Sequence, residues 1–187
     1  MKFDASERQL LFVRTVLALL MITIAAAVRV APHPWNFTPI GAMALFSGAV
    51  VRDRRLAFLF PLLALFVGDI FVGIHKLMFV VYASFAVNIA IGLWLRDRRT
   101  IGRIGLATFA GALQFFVTTN FAVWVYFDTF PKTLAGLGTC YLVAFPLFWN
   151  TLEGDAVYAT LLFGGFALAE RYLPALRESS LPVAQGD

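Results

Sequence analysis

The sequence predicts an all-α, polytopic membrane protein with six transmembrane helices, and three observations carry that reading. Of 187 residues, 60% are apolar and only 14% are charged, against ~25% charged in an average soluble domain. Runs free of Asp, Glu, Lys and Arg recur along the chain, at 15–28, 30–51, 56–68, 77–95, 104–127, 133–152 and 156–169. Six crossings of ~20 residues each fit the length and leave short loops. The composition excludes a disordered chain, which requires low hydrophobicity and high net charge. The net charge of +4 does not imply nucleic acid, because the basic residues sit in short clusters between apolar runs and not on one soluble face.

The first run is bracketed by Arg14 and Arg29. Its span rises only ~21 Å, so both guanidinium groups are expected to snorkel toward opposite interfaces. Lys2, Arg8 and Arg14 ahead of Ala25, Ala26 and Ala27 also fit a cleaved signal. A retained first helix is the expectation for a multispanning chain. In the second run, Pro32, Pro34 and Pro39 forbid a regular helix before about Thr38, leaving a short helix to Val51 behind an irregular loop. Helices three, four and five are expected at 56–74, 77–95 and 104–126, and the sixth at 156–172. The run 133–152 is interrupted by Gly136, Gly138 and Pro146 and gives way to Glu153 and Asp155. It is expected to be a re-entrant or interfacial segment before the last helix, since non-helical backbone at membrane depth survives only inside protein or along a cavity. Residues 1–174 then form a single transmembrane domain. The segment 175–187, with Ser179, Ser180, Pro182 and Gly186, reads as a disordered C-terminal tail.

Charge sets the orientation. With six crossings and a cytoplasmic N-terminus, Lys2, Arg8, Arg14, Arg52, Arg54, Arg55, Arg96, Arg98, Arg99, Arg103, Arg171 and Arg177 lie inside, and only Arg29, Lys76 and Lys132 outside. A seventh crossing through 133–152 would move Arg171 and Arg177 outside, which the positive-inside rule disfavours. Both termini are therefore expected in the cytoplasm, with the bacterial cytoplasmic (inner) membrane as the location.

Polar side chains in hydrocarbon are costly, so each calls for an explanation. Here they gather on the side poor in Lys and Arg. Asp69 lies in the outer part of helix three, Asn120 and Trp124 share a face of helix five at i and i+4, Trp35, Asn36 and Thr38 lead into helix two, and Asn150, Glu153 and Asp155 precede helix six. Together they describe an outward pocket with aromatic, amide and carboxylate walls, suited to a small molecule with a flat body and hydrogen-bonding or amine groups. Asp69, Asn120 and Trp124 are the first candidates for ligand contact, and Asn36, Thr38, Asn150 and Asp155 the second. Trp124 would stack on a ring, the amides would orient it, and Asp69 or Asp155 would accept from an amine or hydroxyl.

Each candidate has a plainer reading. Asp69 could pair with Lys76 or Arg29, Asn120 could form an interhelical hydrogen bond, and Trp35, Trp124 and Trp149 could belong to an interfacial belt. Asn88 reads as structural glue in helix four, and Asp155 could stabilise the N-terminus of helix six. Ala44 and Gly48 in helix two, and Ala107 and Gly111 in helix five, sit four apart and permit close helix contact, internal or with a partner.

The exclusions are equally informative. A lone cysteine, Cys140, permits no internal disulfide and reads as a small packing residue. His33 and His75 lack metal-ligand spacing, no phosphate-binding loop is present, and no nucleophile-and-base motif suggests an enzyme. No cofactor is implied, and any energy for transport must come from a partner or an ion gradient.

Phe145-Pro146-Leu147-Phe148 leading through Gly154-Asp155 resembles the "P-F … G-D" approach to the last helix of biotin-type S components, the substrate-binding membrane subunits of energy-coupling factor (ECF) vitamin transporters. The basic residue that follows G-D in biotin-type proteins is absent, Asp155 being followed by Ala156, Val157 and Tyr158. The segments 36–42 and 115–124 resemble a family of bacterial membrane proteins suspected of transport. The resemblance implies a vitamin uptake subunit that captures a small vitamin-like molecule from the extracytoplasmic side and works with a transmembrane coupling protein and ATPase subunits. The alternative is a structural or assembly membrane protein with no small-molecule ligand, its polar cluster serving only to hold helices together.

Overall fold

The structure, a computed structural model, describes residues 5–28 and 34–172. Lys2, Arg29, Pro32, His33, Arg177 and the expected tail 175–187 lie outside them, as does the side chain of Arg8. Six helices and no strand occur among the described residues: α1 (Ala5–Val28), α2 (Ile40–Val50), α3 (Arg54–Val72), α4 (Met78–Trp94), α5 (Ile101–Tyr126) and α6 (Leu134–Tyr172). Two of them, α5 and α6, are long and apolar enough to cross a membrane.

The core sits around α2. All eleven of its residues are buried, as expected of a helix apolar all round. Its closest neighbour is α4, and glycine makes that contact possible. A Cβ on Gly48 would meet the carbonyl oxygen of Ile89, and one on Gly92 would meet the carbonyl oxygen of Leu45, so two backbones touch where no side chain fits. Gly48 thus serves an internal contact. On its other flank, Phe46 packs edge-on against Phe163 and Phe166 of α6, at 5.3 and 5.6 Å between ring centroids.

The short basic loops meet at one end of the bundle. Arg96, just past α4, donates to the carbonyls of Gly48 (2.8 Å), Val51 (2.6 Å) and Arg52 (3.0 Å), satisfying acceptors that the end of α2 leaves open. Asp53 caps α3 by accepting from the backbone N–H groups of Arg55 and Leu56. Arg96→Met is expected to lower stability by ~1–3 kcal/mol, because the carbonyls lose a charged donor. Thermal unfolding in detergent checks this, and an unchanged midpoint would remove Arg96 from its clamping role.

Two expectations are corrected. The segment 133–150 is neither irregular nor separate from the last helix, because α6 runs unbroken through Pro146 to Tyr172. Its first turn is capped by the Thr133 hydroxyl, which accepts from the N–H of Gly136, and Gly136 itself sits where a Cβ would strike the carbonyl of Pro131. Pro146 removes one intrahelical hydrogen bond, but packing of Tyr141 and Phe148 on Phe116 of α5 holds the helix across it. The second correction concerns Arg14. It does not snorkel but is buried, pairing with Glu170 at 2.9 Å and lying over the Phe166 ring, so α6 supplies it with a charge partner inside the bundle.

Candidate functional site

The site follows from where α2 begins. Asn36 has φ 63°, a left-handed conformation that Asn tolerates better than most residues. It turns the chain so that Phe37 N–H reaches the carbonyl of Pro34 and Thr38 N–H that of Asn36, each at 3.0 Å. The chain then delivers Pro39 as the N-cap of α2, with no side-chain oxygen to offer. The first N–H groups of a helix need acceptors, and α2 opens in the interior of the bundle. Asp155 answers from α6: its Oδ1 accepts from the Ala42 N–H at 3.0 Å. A Cβ on Gly41 would overlap both carboxylate oxygens, so glycine there is what lets the carboxylate approach. Asp155 therefore stabilises a helix start, but that of α2 and not that of its own helix, which begins twenty-one residues earlier at Leu134.

Beside this junction lies a cavity of ≈ 210 Å³. Its polar wall comes from Asn36 and Thr38 of the leading loop, Asp69 of α3, Asn88 of α4 and Thr151 and Asp155 of α6, with His75 beyond α3; Ile40, Leu65, Val81, Phe85 and Phe115 form the apolar wall. Exposed Asn36 and His75 mark the mouth, and buried Asp69, Asn88 and Asp155 the interior. Asp69 accepts from the Tyr82 hydroxyl at 2.9 Å. Asn88 Oδ1 accepts from Gln114 Nε2 at 2.8 Å, and the same amide donates to the Ser84 carbonyl at 2.9 Å. The Ser84 and Thr118 hydroxyls share a hydrogen at 2.7 Å, extending a polar seam between α4 and α5. Phe85 and Phe115 stack at 5.0 Å between centroids.

Among the described residues, two carboxylates and no Lys or Arg line this cavity. The positive end of the α2 dipole lies against Asp155, and Asp69 and Asn88 already accept from Tyr82 and Gln114, so an incoming donor would share these oxygens. Chemically the arrangement can hold an amine, a small cation or a hydrogen-bond donor.

Of the seven sequence candidates, Asn36, Thr38, Asp69 and Asp155 line this cavity. The other three lie elsewhere. Asn120 turns its amide to the carbonyl of Phe116 in its own helix, and its backbone carbonyl receives the Cys140 thiol at 3.5 Å. Trp124 donates to the carbonyl of Pro131, and its ring packs on Phe121 with the Lys132 ammonium above it. Lys132 also donates to the Trp124 and Phe127 carbonyls, so this aromatic is built into the α5–α6 turn. Asn150 donates to the carbonyl of Trp35 at 2.9 Å, tying α6 to the leading loop. The cavity's aromatic wall is Phe85 and Phe115, which no sequence signal separates from the other eighteen phenylalanines. The polar seam had a signal: Ser84 and Asn88, and Gln114 and Thr118, each sit at i and i+4 in consecutive apolar helices.

An all-helical bundle with a carboxylate-lined internal cavity and large apolar side chains exposed along its outside, among them Leu20, Leu63, Phe71, Phe109, Leu142 and Leu161, is the class this chain defines. The chain belongs to DUF6580, a family of unknown function, which it matches over residues 9–176. No curated protein and no solved structure matches it.

Proposed function

We propose that this chain is a multi-pass protein of the bacterial cytoplasmic membrane that captures a small, amine-bearing or vitamin-like solute from the extracytoplasmic side, as the substrate-binding subunit of an uptake system. The observation that carries the reading is the convergence of Asp69 and Asp155 on one cavity from helices far apart in sequence. Six spans with both termini in the cytoplasm agree with the gathering of the arginine-rich loops at one end of the bundle and the cavity's mouth away from it. The apolar exterior is what lipid tails would cover. At ≈ 210 Å³ the cavity is smaller than the ~300–1,000 Å³ usual for drug-sized ligands. It suits a compact solute, and a vitamin-sized ring would require the loop 34–39 to give way. Coupling to a transmembrane protein with ATPase subunits rests on the S-component resemblance alone.

A thermal-shift screen of amines and vitamin-like solutes against the detergent-purified protein tests the proposal. A true ligand at 100 times its Kd stabilises by about 2.7 kcal/mol. That shift is expected to disappear in Asp69→Asn and to persist in Asn120→Ala, whose side chain lies outside the cavity. A ligand that binds both variants as it binds the wild type would sink the proposal.

The structural alternative has its own support. Asp69, Asn88 and Asp155 all have protein partners, and among the described residues no buried side-chain polar atom lacks one. It predicts that Asp69→Asn lowers stability while no solute in the screen shifts the wild type.

A further inference from the structure

A second opening, larger than the solute cavity, has a different chemistry. Helices α5 and α6 form an antiparallel hairpin closed at the turn end by Phe116 against Tyr141 and Phe148, and by Phe109 against Phe148. Beyond Phe148 the two helices part. The later half of α6 follows α2 and α1, through Asp155 on Ala42, Phe163 and Phe166 on Phe46, and Glu170 on Arg14. The early half of α5 stays with α4, through Gly111 against Asn88 and Arg103 over the Trp94 ring. The divergence leaves a wedge of ≈ 750 Å³, walled by small residues such as Gly105, Ala156 and Gly164.

The wall is hydrocarbon in character. Thr108 and Thr160 line it, but each donates its hydroxyl to its own helix, to the carbonyls of Ile104 and Ala156. Charge appears only at one end, where Arg99 lies 3.6 Å from Glu170, a carboxylate it shares with Arg14. Arg98, Arg103 and Arg171 flank the same end with one acid, Asp97, so cations outnumber anions there. From Leu152 to Glu170 the wedge runs ~27 Å along α6. A single extended hydrocarbon chain fits.

We propose that this wedge holds one acyl chain of an anionic phospholipid, with the phosphate at Arg99. The inference rests on the membrane setting proposed above and is independent of the solute cavity. Anionic headgroups are drawn to arginine clusters of this kind, and a chain lying between α5 and α6 would supply the contacts the parted helices do not give each other.

Native mass spectrometry of the detergent-purified protein, offered equal phosphatidylglycerol and phosphatidylcholine with identical chains, tests it. The wild type is expected to retain phosphatidylglycerol about fivefold over phosphatidylcholine, the factor for one arginine near an anionic headgroup. A Cβ on Gly105 meets no atom within 4 Å, nor does one on Gly164, so the side chains of Gly105→Leu and Gly164→Leu start into open space at the wedge. Both should stay folded and monodisperse in detergent and lose the lipid, while Arg99→Gln should bring the two lipids to parity. Undiminished lipid on both leucine variants, or equal retention of the two lipids by the wild type, overturns the proposal. A dimer that only Gly164→Leu dissociates, with lipid unaffected, assigns the wedge to a second copy and overturns it too. Release of the wild type from membranes by alkaline carbonate overturns the membrane reading along with this one; firm retention with indifferent lipid binding overturns this one alone.

Discussion

Gly92→Ala is expected to destabilise the protein by ~3 kcal/mol or more, at the upper end of what overpacking costs. The added methyl would meet the backbone carbonyl of Leu45, and at the reciprocal position Gly48→Ala would meet that of Ile89. Backbone cannot swing aside as a side-chain tip can, so α2 and α4 must separate. That separation would reach the fully buried Leu45, Phe46 and Ile89. Gly102→Ala and Gly138→Ala are the controls, since a Cβ at either helical position meets nothing within 4 Å. Both should be neutral or stabilising by up to ~1 kcal/mol, the helix propensity gained. Thermal or denaturant unfolding in a fixed detergent separates the pairs. Equal effects of Gly92→Ala and Gly138→Ala would mean that α2 and α4 are not in backbone contact.

The second large effect is expected at the junction of α6 with the start of α2. Asp155→Ala removes the side-chain acceptor of the Ala42 N–H and is expected to cost ~1–3 kcal/mol, the penalty of a buried donor left unmade. Asp155→Asn keeps an oxygen for that N–H and loses only the charge facing the helix dipole, ~0.3–1 kcal/mol. The order of stability should be wild type, then Asp155→Asn, then Asp155→Ala. Gly41→Ala should be at least as damaging as Asp155→Ala, because its methyl overlaps the carboxylate. The double variant Gly41→Ala/Asp155→Ala should cost less than the two singles together, since removing the Asp155 carboxylate makes the room that the methyl needs. Additivity within ~0.3–0.5 kcal/mol would show that the two residues do not touch. Both Asp155 variants should also weaken any solute held in the cavity, which ties this stability test to the proposed binding role.

Particular elements show how far the chain could be read before folding. The expected helices 56–74, 77–95 and 104–126 match α3, α4 and α5 to within three residues, because charged and proline-bearing loops end apolar runs abruptly. The short α2 was equally legible, its start dictated by Pro34 and Pro39. The segment 133–150 was not. Gly136, Gly138 and Pro146 lower helix propensity locally, but propensity is a weak prior that packing overrides, and the aromatic contacts with α5 belong to another part of the chain.

The polar residues divide along the same line. Their cost in an apolar run was visible one residue at a time, and it singled out Asp69, Asp155, Asn36 and Thr38. Helical periodicity placed Asn120 and Trp124 on a common face, yet a period fixes angles between residues of one helix and leaves open which way that face turns. Only packing aimed it at the α5–α6 turn and turned Phe85 and Phe115 to the cavity. Hydropathy and the loop prolines therefore determine where α2 to α5 run, since both act through neighbours along the chain. Which carboxylate meets which helix end was decided by the tertiary structure, because that depends on contacts between residues more than a hundred positions apart, such as Asp155 and Ala42.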